Sequence, residues 1–85
     1  MTAADSLKTQ INSVIALYSN GQIQEALDSV EALTKGYPNE SLLYNISGVC
    51  HKAIGQLDAA VESFEKALAI KPDYIEVNYN LGLTL

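Results

Sequence analysis

With 85 residues the chain is close to the size below which one apolar core barely suffices, so a single domain over 1–85 with efficient packing is expected. Ten acids against five lysines and no arginine leave a net charge of −5, a field that repels phosphate backbones and argues against nucleic acid as a partner. One cysteine, Cys50, excludes an internal disulfide, one histidine leaves no ligand set for structural zinc, and no apolar run nears the roughly 18 residues of a membrane span. No membrane partner is expected.

The opening "MTAADSLKTQ" lacks the charged-then-apolar layout of a secretory signal, so a cytoplasmic location is expected, and a first helix is predicted over 4–19. Asn20-Gly21 breaks the chain, because glycine tolerates the left-handed backbone that ends a helix. A second helix follows over 22–35, with Ile23, Ala26, Leu27, Val30 and Leu33 on one stripe and Asp28 and Glu31 outside it. Pro38 prevents simple continuation, and Asn39 is placed to cap a third helix over 40–54. Gly55 ends that helix. The fourth, over 57–70, repeats the stripe as Leu57, Ala60, Val61, Phe64, Ala67 and Leu68. After Pro72, Asp73 lies three residues before Glu76, the spacing of a capping-box-like start to a fifth helix over 74–85.

Residues 21–38 and 55–72 agree at six positions, Gly21/Gly55, Gln22/Gln56, Ala26/Ala60, Ser29/Ser63, Glu31/Glu65 and Pro38/Pro72. A fixed offset of 34 is the mark of stacked helix-turn-helix units, each too small to bury its own apolar face. The chain resembles the tetratricopeptide repeat (TPR): Tyr44, Gly48, Ala60, Phe64 and Pro72 stand at its signature places across 41–74. The unit over 7–40 keeps Ala26 and Pro38 but has Gln10, Ser13, Val14 and Val30 elsewhere in the pattern, and a partial third unit over 75–85 supplies Leu81-Gly82. The resemblance implies an all-α helical-hairpin solenoid of five helices. Three residues depart from it: Ser47 replaces the usual leucine, His51 the second aromatic, and Asn78 an aromatic of the third unit. Gly48, Gly82, Ala26 and Ala60 are expected where helices approach closely.

No catalytic, cofactor or metal site is expected. Cys50 and His51 point about 100° apart on a helix, with no third group to orient the imidazole. Asp58, Glu62 and Glu65 read as a solvated acidic face. What the resemblance does imply is a concave groove lined by the first helix of each repeat, for a protein or peptide partner. Carried over by position, it comprises Lys8, Ile11, Asn12, Ile15 and Tyr18, then Leu42, Asn45, Ile46, Val49 and Lys52, and finally Glu76, Tyr79, Asn80 and Leu83. Asn12, Asn45, Val49, Lys52, Tyr79, Asn80 and Leu83 are the candidate partner contacts, since amides satisfy peptide backbone groups and tyrosine offers area at low entropic cost. The clamp by which some family members hold a terminal carboxylate would fall here on Ile11, Ile15, Ile46, Glu76 and Asn80, and is absent.

The last helix ends in Leu81, Leu83 and Leu85, an uncapped apolar end. It marks either a piece of a longer protein or a face for self-association through these leucines. The expected function is a non-catalytic interaction scaffold. Two others compete with it: a regulatory or substrate-positioning segment ahead of an enzyme such as a transferase, and a self-assembling structural element.

Overall fold

The computed structural model describes residues 2–85. Five helices follow one another: α1 (Ala3–Ser19), α2 (Ile23–Gly36), α3 (Ser41–Ala53), α4 (Leu57–Ile70) and α5 (Ile75–Thr84). Among the described residues there is no strand, and the architecture is all-α as expected. Each helix packs chiefly on its neighbours in the chain, α1 on α2 through to α4 on α5, which is how a hairpin solenoid shares its burial.

The turns repeat as faithfully as the helices. Gly21 and Gly55 have φ of 80° and 81°, the left-handed conformation for which glycine is suited. Gln22 N donates to Leu17 O at 2.9 Å, and 34 residues on Gln56 N donates to His51 O at the same distance. After α2, Tyr37 N donates to Leu33 O, and after α4, Lys71 N donates to Ala67 O. Tyr44 Oη donates to Pro38 O at 2.9 Å, while Asn78, its counterpart, donates through Nδ2 toward Pro72 O at 3.5 Å and Tyr74 O at 3.2 Å. The departure at Asn78 thus preserves a tie from the helix to the proline turn, with an amide in place of a phenol.

Four helix starts, those of α1, α2, α3 and α5, differ from expectation by one residue, and at three of them the capping explains the start. α1 begins at Ala3 because Thr2 and Asp5 form a capping box, Asp5 N donating to Thr2 Oγ1 at 3.1 Å and Thr2 N to Asp5 Oδ2 at 3.4 Å. Asn39 and Asp73 cap nothing. The N-cap residues of α3 and α5 are Glu40 and Tyr74, neither with a side-chain capping bond. Glu40 N donates to Tyr37 O and Tyr74 N to Lys71 O, so each proline turn closes on its own backbone and holds Asn39 or Asp73 within it.

The core lies in two clusters. Ile11, Val14, Ala26, Leu27, Val30, Leu43 and Cys50 join α1, α2 and α3; Ala60, Phe64, Ala67 and Val77, with Tyr44, Val49 and Leu81 against them, join α3, α4 and α5. Cys50 is fully buried, and burial pushes its thiol pKa up, which keeps it protonated and inert. Phe64 is the largest fully buried side chain, and its ring lies on Gly48, where an added Cβ would fall 2.6 Å from Phe64 Cδ1 and 2.9 Å from Cζ. Gly82 holds the matching position on α5, yet an added Cβ there meets nothing within 4 Å, so the close approach expected at Gly82 is not made within this chain.

The two glycines should therefore respond oppositely in thermal or urea unfolding. Gly48→Ala is expected to cost about 1–3 kcal/mol by displacing the Phe64 ring, and Gly82→Ala to gain up to about 1 kcal/mol from helix propensity. Equal effects would show that Phe64 does not lie on Gly48.

Candidate functional site

Along α1 and α3 the solenoid carries a groove made of two adjoining hollows. One, of about 470 Å³, is lined by Lys8, Ile11, Asn12, Ile15, Glu40 and Leu42. The other, of about 210 Å³, takes Ile15 and Leu42 as shared walls and adds Tyr18, Asn45, Ile46, Val49 and Glu76. Three helices supply these residues because α1, α3 and α5 are the first helices of successive hairpins, and steps of three and four along each keep one face toward the groove. The floor is apolar. Its polar groups are two amides, one lysine, two carboxylates and the Tyr18 phenol.

The carried-over positions divide. Asn12, Asn45 and Val49 line the hollows, whereas Lys52, Tyr79, Asn80 and Leu83 line neither. Ile11 is buried in the first core cluster as well as lining the groove, while Ile15 is about half exposed, so packing takes the first and leaves the second to solvent. Asn45 is 3% exposed: its Oδ1 accepts from Asn80 Nδ2 at 3.1 Å and its Nδ2 donates to Glu76 Oε1 at 3.4 Å. The three residues form a polar tie between α3 and α5, and Asn45 is thereby occupied with α5. Helical periodicity puts Asn45 on the right face, but its partners lie 31 and 35 residues away and only packing reveals them. Glu40 was not foreseen in the groove. It enters because α3 starts at Ser41, which leaves Glu40 at the helix mouth.

On α5, Leu81 packs into the second core cluster, so Leu81, Leu83 and Leu85 do not form one patch. The exposed stripe is instead Ile75, Tyr79 and Leu83, spaced four apart. Ile75 was missed, although that spacing was legible.

A separate cleft between α2 and α4 holds the other departures. His51 Nε2 lies 3.5 Å from Glu31 Oε1, and its Nδ1 lies 2.8 Å from Gln56 Oε1. Ser47 and Ser63 share a buried hydrogen bond at 3.4 Å beside them. Both imidazole nitrogens are thus engaged in tying helices together, and Ser47 is bonded to a hydroxyl instead of a base. Glu62, of the acidic face, pairs with Lys66 at 3.6 Å, and no group of three metal-ligating side chains occurs among the described residues. Nor, among them, is any helix long and apolar enough to cross a membrane.

Fold and repeat register define a helical-hairpin repeat protein. Residues 51–85 match the family model described as TPR repeat, the family whose pattern the sequence resembles. The peroxisomal targeting signal receptor of Candida glabrata is 27% identical over 88 residues, covering 93% of this chain and 15% of that protein. Anaphase-promoting complex subunit 3 of Dictyostelium discoideum is 34% identical over 56 residues, 66% of this chain and 6% of that protein. The chain therefore spans a small part of these curated relatives. Among solved structures, the type III secretion translocator chaperone SycD of Yersinia enterocolitica superposes with a TM-score of 0.91 over 100% of this chain and 59% of that one. At 20% identity this is a likeness of fold.

If the Asn45 tie holds α5 to α3, Asn45→Ala leaves two polar partners short of a bond, at an expected cost of about 1–3 kcal/mol. Hydrogen exchange should then quicken across α5 more than across α2. Uniform quickening, or none, would mean that the tie does not anchor α5.

Proposed function

We propose that this chain is a non-catalytic interaction module that receives an extended or helical segment of a partner protein along the α1/α3/α5 groove. The observation that carries the reading is the pair of adjoining hollows walled by Ile15, Leu42, Ile46 and Val49, of which Ile15 is half exposed and the other three are only partly covered. A groove of this kind takes anchors at helical or extended spacing, with polar groups at its edges to fix their direction. The relatives lend support, since one is named as the receptor of a targeting signal and the fold likeness is to a chaperone. The reading includes the cytoplasmic setting inferred above from the sequence. Selection of a displayed random-peptide library on the immobilised chain tests it. Peptides should enrich on the wild type and lose at least tenfold in affinity on Ile15→Asp, a half-exposed position whose change spares the core. Enrichment of nothing, or of peptides indifferent to Ile15→Asp, would remove the groove from the account.

A second surface supports self-association. Ile75, Tyr79 and Leu83 are 82%, 66% and 58% exposed, and Leu85 beside them 85%. Pairing two copies of this face would cover on the order of 1,200 Å² in total, the lower end of stable interfaces. The stripe carries no charge, so two copies of net charge −5 meet there without a direct like-charge contact. Sedimentation should find a dimer that Tyr79→Lys shifts to monomer by at least tenfold in Kd. A monomer at millimolar concentration, or a dimer unmoved by Tyr79→Lys, would place the contact elsewhere or nowhere.

A further inference from the structure

The smaller hollow, walled by α1 and α3 with α5 at its edge, has a character that the groove as a whole does not share. Apolar side chains and one ring, Ile15, Tyr18, Leu42, Ile46 and Val49, surround a space of about 210 Å³, and a single carboxylate, Glu76, stands at its rim. That volume is below the range of drug-sized sites and suits one side chain. Glu76 is held in place: Asn80 Nδ2 donates to Asn45 Oδ1, and Asn45 Nδ2 donates to Glu76 Oε1, so a relay of two amides fixes the carboxylate while Oε2 makes no hydrogen bond among the described residues. Among the described residues Glu31 lies against His51 and Glu62 pairs with Lys66, and Glu76 has neither a lysine nor a histidine within salt-bridge distance. Its charge is felt nearby, for the Tyr74 phenol is pushed up first by burial and then by Glu76. Neither Lys8 nor Lys52 lines this hollow.

We propose that this hollow is a specificity pocket for a basic side chain of the partner segment, arginine above lysine, whose apolar stem lies among Ile15, Ile46 and Val49 and whose cationic head meets Glu76. The proposal rests on the groove reading and names the chemistry of its partner. A long cationic side chain has the required two-part character, burying its methylenes while its head stays at the wet rim. Arginine gains twice over lysine: its planar fork matches a carboxylate, and it stacks on the face of an aromatic such as Tyr18. A partner's acidic side chain or terminal carboxylate would meet Glu76 as a like charge, in agreement with the absence of the carboxylate clamp. The net charge of −5 adds long-range attraction for a basic segment.

The test titrates three blocked tripeptides, acetyl-Leu-X-Leu-amide with X as arginine, norleucine or glutamate, into the isotopically labelled 85-residue chain and follows backbone amide shifts. The arginine tripeptide should give saturable shifts at Asn45, Ile46, Val49 and Glu76, with affinity at least tenfold above the other two. Glu76→Gln keeps an oxygen to accept from Asn45, and should cut the arginine advantage below threefold while leaving norleucine binding unchanged. Norleucine binding as tight as arginine, an arginine advantage that survives Glu76→Gln, shifts centred outside the hollow, or no shifts with any tripeptide would each overturn the proposal. The peptide selection separates this failure from that of the groove reading. Enriched sequences that need Ile15 but lack basic residues keep the groove and discard the basic preference, whereas no Ile15-dependent sequence discards both.

Discussion

The Phe64 ring on Gly48 is the contact on which the stack depends. A helix this short has too little apolar surface to stabilise itself, so α4 must gain its burial from α3, and the gain is largest where the helices come closest. A glycine on α3 removes the side chain that would hold them apart, and the largest buried side chain of the molecule fills the space. Once α3 and α4 are locked, the outer face of α4 is ready for Val77 and Leu81 of α5, and the other side of α3 for the first hairpin through Leu43 and Cys50. Two small clusters, both drawing on α3, divide the burial between the first hairpin and the helices that follow it.

The departures from the family pattern have a common physical theme. At Ser47, His51 and Asn78 a large apolar group is replaced by a polar one, and in each case the polar group has found a partner on a neighbouring helix or turn. A buried hydroxyl without a partner would cost more than the apolar contact it displaced, whereas a bonded one costs little. The cleft between α2 and α4 is therefore a polar seam that aligns the two hairpins. That gives His51 a structural role.

The groove follows from the same economy. On the groove side of α1 and α3 the chain keeps Ile15 half exposed, and Ile46 and Val49 packed against the core clusters yet only partly covered, where solvent would favour polar groups. Asn45 and Glu76 give the apolar surface a direction. Asn45 is committed to Asn80 and Glu76 and so orients a carboxylate, while Asn12 lines the other hollow.

Periodicity, glycine placement and the 34-residue offset were enough for the five helices, their order and the hairpin register, because each depends on residues within a turn or two of one another or on a repeat that the chain states twice. The concave face came from the family resemblance, and of its candidate contacts Asn12, Asn45 and Val49 line the hollows whereas Lys52, Tyr79, Asn80 and Leu83 do not. Periodicity and spacing were not enough for Asn39 and Asp73, where a proline turn closing on its own backbone displaced the caps, or for Leu81, which packs partly buried against the second core cluster. Only the tertiary structure decided that Asn45 would face α5 instead of solvent and that Glu76 would stand at the mouth of an apolar hollow. Those outcomes depend on how far apart two helices rest, and that distance is set by the side chains between them.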